Sequence, residues 1–358
     1  MEIKIKTAQP EQLKPKPTDE SKLGFGMIFS DHFFLMNYEK GKGWFDPRIE
    51  PYRNLQIDPA AMGLHYGQEI FEGLKAYRGQ DGEIYLFRPQ ENFKRLNRSA
   101  SRLCMPELDM EQVMQGLKKL ILLDKEWIPK SAGTSLYIRP TMIATEPHLG
   151  VRPAQQYLFY IIVGPVGAYY KEGLNPVKLY VEDQYIRAAV GGIGEAKTAG
   201  NYAASILAAE KAKEKGFAQV LWLDAKEHLY VEEVGAMNMF FVIDREVITA
   251  PLTGSILPGI TRDSVLHLTR QWGMKVSERP LSIKEVVQAA QNGKLQEAFG
   301  TGTAAVISPV GEIYYQNKNY VVAGGKMGEL SLKLYNEIIA IQYAEKEDRY
   351  RWREKVVL

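Results

Sequence analysis

Apolar positions along this chain follow two rhythms. In ENFKRLNRSASRL they fall at Phe93, Leu96, Ala100 and Leu103, the spacing of one helical face, with Arg95, Arg98 and Arg102 near the other. MEQVMQGLKKLILLDKEW predicts a second amphipathic helix, and the apolar runs TSLYIRPTMIA and QYLFYIIVGPV predict two strands. FEGLKAYRG and EIYLFRP flank Gln80-Asp81-Gly82, a hairpin signal, and LGFGMIFSDHFFLMNYE suggests an earlier hairpin. Further on, NYAASILAAEKAKEK predicts a helix ended by Gly216, and FAQVLWLD, LYVEEV and MNMFFVID predict strands. The stretch from Thr261 to Trp272 predicts a helix stopped at Gly273, and Ser282 with Glu285 forms a capping box for another. EAFGTGTAAVISPV and GEIYY then close a sheet. Strands and helices cluster in both halves without strict alternation, which predicts an α+β protein of two lobes around mixed sheets.

Punctuation divides the chain. Residues 1–22 are polar and proline-bearing, and read as an extended arm before a smaller α+β domain over 23–166. GAYYKEGLNPVK, with Gly167, Gly173 and Pro176, predicts an interdomain linker at 167–178, followed by a larger domain over 179–358.

Composition narrows the partners. The 45 basic and 43 acidic residues leave a net charge of +2, without the basic excess that a nucleic-acid surface needs. Small molecules are the expected partners. Cys104 is the single cysteine, so an intrachain disulfide and a cysteine-based zinc site are impossible. The five histidines show neither HxxxH nor HExxH spacing, and no metal is expected. No segment reaches the roughly 20 apolar residues of a membrane span, nor does the N-terminus carry the apolar core of a signal peptide, so a cytoplasmic location is expected.

The sharpest chemical signal is GGIGEAKTAGNY, residues 191–202. The apolar stretch YIRAAV precedes it and a helical stretch follows, the setting of a phosphate loop, with QVLWLD resembling the magnesium-holding strand of such ATPases. Ala196 breaks that pattern, because a Cβ before the lysine crowds the approach of backbone to phosphate. Small neighbours leave room beside Lys197 for another molecule, and a lysine in an apolar or cationic pocket becomes a nucleophile able to form a Schiff base.

Seven blocks, FEGLKAYRG, LFRPQENFKRLNRSASRL, SLYIRP, AKTAGNYAAS, EVGAMNMFFV, LPGITRDS and FGTGTAAVISPV, occur in the order seen in branched-chain amino acid aminotransferases, which this chain resembles from about Phe25 to Pro309. The resemblance implies a two-lobed fold-type IV enzyme, each lobe a mixed β-sheet or barrel with packed helices. It also implies pyridoxal 5'-phosphate held by Lys197 as a Schiff base, and amino-group transfer between leucine, isoleucine or valine and 2-oxoglutarate. Other fold-type IV enzymes, a D-amino acid aminotransferase or an aminodeoxychorismate lyase, are the alternatives within the fold; their chains are usually shorter.

The same resemblance distributes roles. Arg95 and Arg187 match cofactor-binding arginines, Tyr202 the tyrosine that reaches the cofactor's phenolic oxygen, and Glu233 the carboxylate beside its ring nitrogen. Ile260, Thr261 and Thr303 match phosphate contacts. Phe25, Phe71, Tyr137 and Ala304 match an apolar substrate wall; Tyr66, Thr303 and Ala304 match contacts to the α-carboxylate, and Arg139 one to a distal carboxylate. Leu149 and Val151 match a loop that reaches the neighbouring subunit's pocket, which implies a homodimer. Glu232, next to Glu233 on an expected strand, should be exposed or paired at the other face. A CxxC pair of mammalian relatives is replaced here by Ala305 and Ser308.

Overall fold

In the computed structural model, which describes residues 1–167 and 174–358, the chain separates into two compact units. Residues up to 167 form one with Ala196–Ala199 and Ala340–Leu358, while the second comprises residues 174–195 and Gly200–Ile339. Half of the expected linker at 167–178, residues 168–173, lies outside the described residues, and Val177 and Lys178 already belong to a strand.

The first unit is built on strands whose apolar residues form a main core and a smaller cluster of Phe33, Leu35, Ile143 and Leu158. The strands are β1 (Lys4–Ile5), β2 (His32–Glu39), β3 (Gly43–Pro51), β4 (Glu69–Phe71), β5 (Leu74–Arg78), β6 (Ile84–Phe87), β7 (Ser135–Ala144) and β8 (Gln156–Val166), with helices α1 (Met62–Tyr66), α2 (Pro89–Arg102) and α3 (Met110–Leu123). The hairpin expected around Gln80-Asp81-Gly82 pairs Ala76 with Leu86 and Tyr77 with Tyr85. In β7 and β8, ten residues pair antiparallel from Ser135↔Val166 to Ala144↔Tyr157. Phe93, Leu96 and Ala100 of α2 and Val113, Leu117 and Leu120 of α3 join Phe34, Leu136, Ile138 and Phe159 in the core. Alternation then decides the rest: with Leu136 and Ile138 inward, Tyr137 and Arg139 point to the opposite face of β7.

The second unit begins with β9 (Val177–Glu182), followed by α4 (Ala199–Glu214), β10 (Gln219–Leu223), β11 (Val231–Val234), β12 (Met237–Ile243) and β13 (Glu246–Thr249). Next come α5 (Ile260–Gln271), β14 (Lys275–Glu278), α6 (Ile283–Gln291), β15 (Leu295–Gly302), β16 (Val306–Tyr315) and β17 (Lys318–Val321). Six strands in the order β11-β10-β9-β16-β15-β12 close into a barrel through the pairing of β11 with β12. Strand β9 runs parallel to both β10 and β16, whereas β15 runs antiparallel to β12 and β16, so the sheet is mixed. Ser282 Oγ accepts the amide of Glu285 at the start of α6.

Helix α7 (Glu329–Gln342), with Leu330, Leu334, Ile338 and Ile341 buried along one face, and strand β18 (Arg353–Lys355) follow. The amides of Leu330 and Ser331 donate to the Glu297 carboxylate, which places a negative charge at the N-terminus of α7. β18 extends the first unit's sheet by pairing with β6, Arg353 opposite Phe87. Two expectations fail: YIRAAV forms no strand, so the strand, loop and helix sequence of an ATPase is absent there, and LGFGMIFSDHFFLMNYE holds only strand β2, which forms its hairpin with β3 instead.

Candidate active site

Lys197 is fixed by its main chain. Its carbonyl accepts the Phe71 amide at 3.0 Å, Thr198 bridges to Ile70, and Thr198 Oγ1 donates to the Glu69 carbonyl at 2.7 Å, so residues 197–198 extend the edge of β4. From the other side, the Lys197 amide donates to Ser99 Oγ at 2.9 Å, and that hydroxyl donates to the Arg95 carbonyl within α2. Ala196 and Thr198 are buried, and the half-buried Lys197 side chain carries Nζ to 4.9 Å from the centre of the Phe71 ring.

Arg95 does not share a solvated face with Arg98 and Arg102. It is 4% exposed, on a stripe with Asn92 and Ser99, while Arg98 and Arg102 are exposed. Its partner is Glu72, a residue that sequence reasoning passed over: Arg95 Nε and Nη2 donate to the two carboxylate oxygens at 2.7 and 2.9 Å. Asn92 Nδ2 and the Gly73 amide donate to the same carboxylate. Burial works to raise the Glu72 carboxyl, but the charges of Arg95 and Lys197 and the Asn92 amide outweigh it and hold it below the usual range. The motif FEG contained this residue, but nothing local marks a glutamate as the partner of an arginine 23 positions away.

The outward face of β7 gathers more of the expected residues. Arg139 Nη2 donates to the Tyr137 hydroxyl at 3.1 Å, the Arg139 guanidinium lies 4.6 Å from the Phe71 ring centre, and Phe25 meets Tyr137 edge-on at 4.8 Å. Phe71, Tyr137, Arg139, Phe25 and Lys197 therefore form one connected set within the first unit. Tyr66, Leu149 and Val151 are exposed, the last at 87%.

Within the second unit, Arg187 and Glu233 meet. Arg187 Nε lies 2.6 Å from Glu233 Oε2, and its Nη1 donates to the Ser255 carbonyl at 2.9 Å. Asn238 Nδ2 donates to Glu233 Oε1 at 3.0 Å and to the Leu257 carbonyl at 2.9 Å. Asn238 also packs against Gly259, where a Cβ would collide with its side-chain oxygen. Gly259 stands at the cap position of α5, and Ile260 and Thr261 start that helix. Of the two alternatives for Glu232 it is the paired one that occurs: the residue is buried, accepts from Ser255 Oγ, and burial pushes its carboxyl up. Thr303 and Ala304 are half-buried in the β15–β16 turn, next to Val306 with φ 62°, a strained value for a β-branched residue. Tyr202 is half-buried in the first turns of α4.

The first unit thus carries a placed amine and a buried arginine, and the second, by itself, a placed carboxylate beside a helix N-terminus. The sequence matches the amino-transferase class IV family over residues 69–313. The chain belongs to the class IV aminotransferases. It is 56% identical over 96% of its length to branched-chain-amino-acid aminotransferase 2 of Bacillus subtilis (strain 168), covering 94% of that protein. Branched-chain-amino-acid transaminase 1 of the same organism is 55% identical, with 96% of each chain covered. Among solved structures, the branched-chain amino acid aminotransferase of Escherichia coli superposes with a TM-score of 0.75 at 27% identity, over 90% of this chain and 99% of that one.

For this class IV aminotransferase, Arg95→Ala is expected to release cofactor far more readily than Arg98→Ala or Arg102→Ala. Arg95→Ala should also lower stability by about 3–5 kcal/mol, because it leaves the Glu72 carboxylate buried without its cation. The two exposed arginines should change stability by less than about 0.5 kcal/mol. Cofactor dissociation constants and melting temperatures of the three variants check this; equal cofactor affinities would leave Arg95 only its structural pairing.

Proposed function

We propose that the chain is a branched-chain L-amino acid aminotransferase that moves the amino group of leucine, isoleucine or valine to 2-oxoglutarate and uses pyridoxal 5'-phosphate. The observation that carries this reading is the identity of 55–56% with two such enzymes over nearly the whole chain. Neither the D-amino acid aminotransferase nor the aminodeoxychorismate lyase alternative has support of that extent.

The residues present fit the cofactor. Lys197 supplies the amine, Glu233 a buried carboxylate, Arg95 a buried cation, and the start of α5 backbone amides for an anion. Thr301 Oγ1, on β15, is buried without a hydrogen-bond partner among the described residues, the kind of atom a bound polar group satisfies. When bound, pyridoxal phosphate supplies an electron-withdrawing ring that stabilises negative charge at the substrate's α-carbon.

Lys197 Nζ holds the cofactor and, once released, takes the proton from the substrate's Cα and returns it on the other side of the transfer. That is general acid and base work by a single amine. Glu233 keeps a proton on the ring nitrogen; a carboxylate has about four lone-pair positions, so Arg187 and Asn238 leave it capacity for this bond. Arg187 and Asn238 orient Glu233 rather than act themselves. Tyr202 is assigned to the cofactor's phenolic oxygen, and Ile260, Thr261 and Thr303 to its phosphate. Phe25, Phe71, Tyr137 and Ala304 receive the branched side chain, Arg139 the distal carboxylate of glutamate, and Tyr66 with Thr303 and Ala304 the α-carboxylate.

A homodimer is the proposed working unit, supported by Leu149 and Val151, which stand 68% and 87% exposed on one loop. Apolar side chains so placed fit a partner's surface better than water. The proposed location is the cytoplasm; no helix among the described residues is long and apolar enough to cross a membrane.

The test is a steady-state comparison of L-leucine, L-isoleucine and L-valine with their D-forms, using 2-oxoglutarate as acceptor. All three L-forms should turn over and the D-forms should be at least about 100-fold slower in kcat/KM, the discrimination that a reversed substrate geometry at the reacting carbon brings. Preference for D-forms would overturn the reading in favour of the D-amino acid enzyme.

A further inference from the structure

The N-terminal arm is tied to the first unit at both ends of a short loop that carries Phe25. At one end the Glu20 carboxylate accepts the amides of Lys130, at 3.0 Å to each oxygen, and of Ser131 at 2.6 Å. Burial disfavours its ionisation, yet the Ser131 hydroxyl, followed by these amides, holds the Glu20 carboxyl below the usual range. At the other end Asp31 is gripped from two sides: the Lys14 amide donates to Oδ1 at 2.8 Å and Trp127 Nε1 to Oδ2 at 2.7 Å. Lys14 Nζ donates to the Ser30 carbonyl at 2.7 Å and sits 3.9 Å from the Tyr52 ring centre. His32 Nε2 accepts the Ala8 amide while its Nδ1 meets the buried Asp124 carboxylate at 2.6 Å.

Between these anchors the chain passes the outward face of β8 at Gly164 and the end of that strand at Gly167. Gly167 donates its amide to the Gly24 carbonyl at 3.2 Å, and the Ser30 amide donates to the Val163 carbonyl at 2.8 Å. A Cβ on Gly164 would collide with the Ile28 carbonyl oxygen, and one on Gly167 with the Leu23 carbonyl oxygen. Gly164 is the cross-strand partner of Tyr137. The missing side chain opposite Tyr137 is therefore the space through which the loop passes, and that passage sets Phe25 edge-on against the Tyr137 ring.

We infer that residues 14–31 act as a strap whose anchors, Glu20 and Asp31, and whose passage over Gly164 position Phe25 against Tyr137, so that the arm determines how well the pocket holds a branched side chain. This rests on the reading of Phe25 and Tyr137 as pocket wall. Glu20 and Gly164 are positioning residues, since neither needs to touch substrate. A wall discriminates only when it is held: a hydrophobic pocket gains roughly 10–200-fold per methylene from close contact, and a wall free to move loses that gain.

The experiment compares leucine with 2-aminobutyrate, whose side chain has two fewer carbons, in the holoenzyme carrying Gly164→Ala, Glu20→Ala or Phe25→Ala. Gly164→Ala should lower the leucine to 2-aminobutyrate ratio of kcat/KM about tenfold, chiefly through the KM for leucine, as lost ground-state and transition-state contact does. Glu20→Ala should lower it about threefold, the effect of a lost anchoring hydrogen-bond set at the surface. Glu20→Gln, which still accepts from both amides, should recover most of that loss. Should Gly164→Ala fail to fold, the Glu20 pair decides alone. An unchanged ratio in the Gly164 and Glu20 variants beside a lowered ratio in Phe25→Ala would overturn the strap and leave the pocket reading standing. An unchanged ratio in Phe25→Ala would overturn the pocket reading, and the strap with it.

Discussion

Lys197→Ala is expected to lose transamination by at least about 10,000-fold in kcat, because it removes both the covalent anchor of the cofactor and the acid-base group, a term itself of about 100- to 10,000-fold. The fold should survive. The contacts that hold residues 196–198 in place are made by main-chain atoms of Lys197 and by the Thr198 hydroxyl, none of which the substitution removes. Ala196 and Thr198, the buried neighbours, are likewise untouched. A half-buried side chain cut to alanine should cost about 1 kcal/mol. The decisive measurements are kcat with saturating leucine and 2-oxoglutarate, the melting temperature, and borohydride treatment followed by peptide mapping. Borohydride should leave cofactor attached at Lys197 in the parent enzyme and nowhere in the variant. Turnover of the variant at the parent rate would falsify the assignment.

Glu233→Gln should slow removal of the substrate's α-proton by roughly 10- to 150-fold, the rate equivalent of one charged hydrogen bond worth about 1.5–3 kcal/mol. Removing the carboxylate takes away the negative charge that favours a protonated ring nitrogen. Arg187 loses its ion-pair partner but keeps its bond to the Ser255 carbonyl, so the variant should still fold and bind cofactor. Glu232→Gln is the internal comparison, and the structure sharpens what it should do. Glu232 is buried, accepts from Ser255 Oγ, and has its carboxyl pushed up by burial. For a carboxyl raised in the folded state, stability is lost as pH rises from the unfolded value through the folded one. Near neutral pH the glutamine variant should therefore be at least as stable as the parent, and within about threefold of it in rate, since a surviving neutral hydrogen bond is worth only about 1 kcal/mol. Single-turnover kinetics with leucine, followed by visible absorbance, separate the two. A slow Glu232 variant beside a normal Glu233 variant would exchange their roles.

What the chain alone determined were its local elements and the order of its blocks. Helical spacing in ENFKRLNRSASRL and the apolar runs of β7 and β8 follow from backbone geometry, because one buried face forces a period on the residues that make it. Lys197 was singled out by its small neighbours and by the blocks around it. β18 escaped, since a three-residue edge strand that pairs with β6 has no pattern long enough to be seen.

Partnerships were decided only in the folded molecule. Arg95 shares its helix with Arg98 and Arg102, and nothing in their spacing separates them; burial against Glu72 does. Ser99 steadies a lysine 98 residues away, and Arg187 reaches a carbonyl 68 residues away. Gly164 looks like an ordinary strand glycine until the arm, more than a hundred residues earlier in the chain, is seen to pass over it. The physical reason is common to all of these. A local pattern records which face of an element is buried, whereas the cost of burying a charge or closing a gap is met by whichever group the tertiary fold brings there, and that group leaves no mark in the neighbouring sequence.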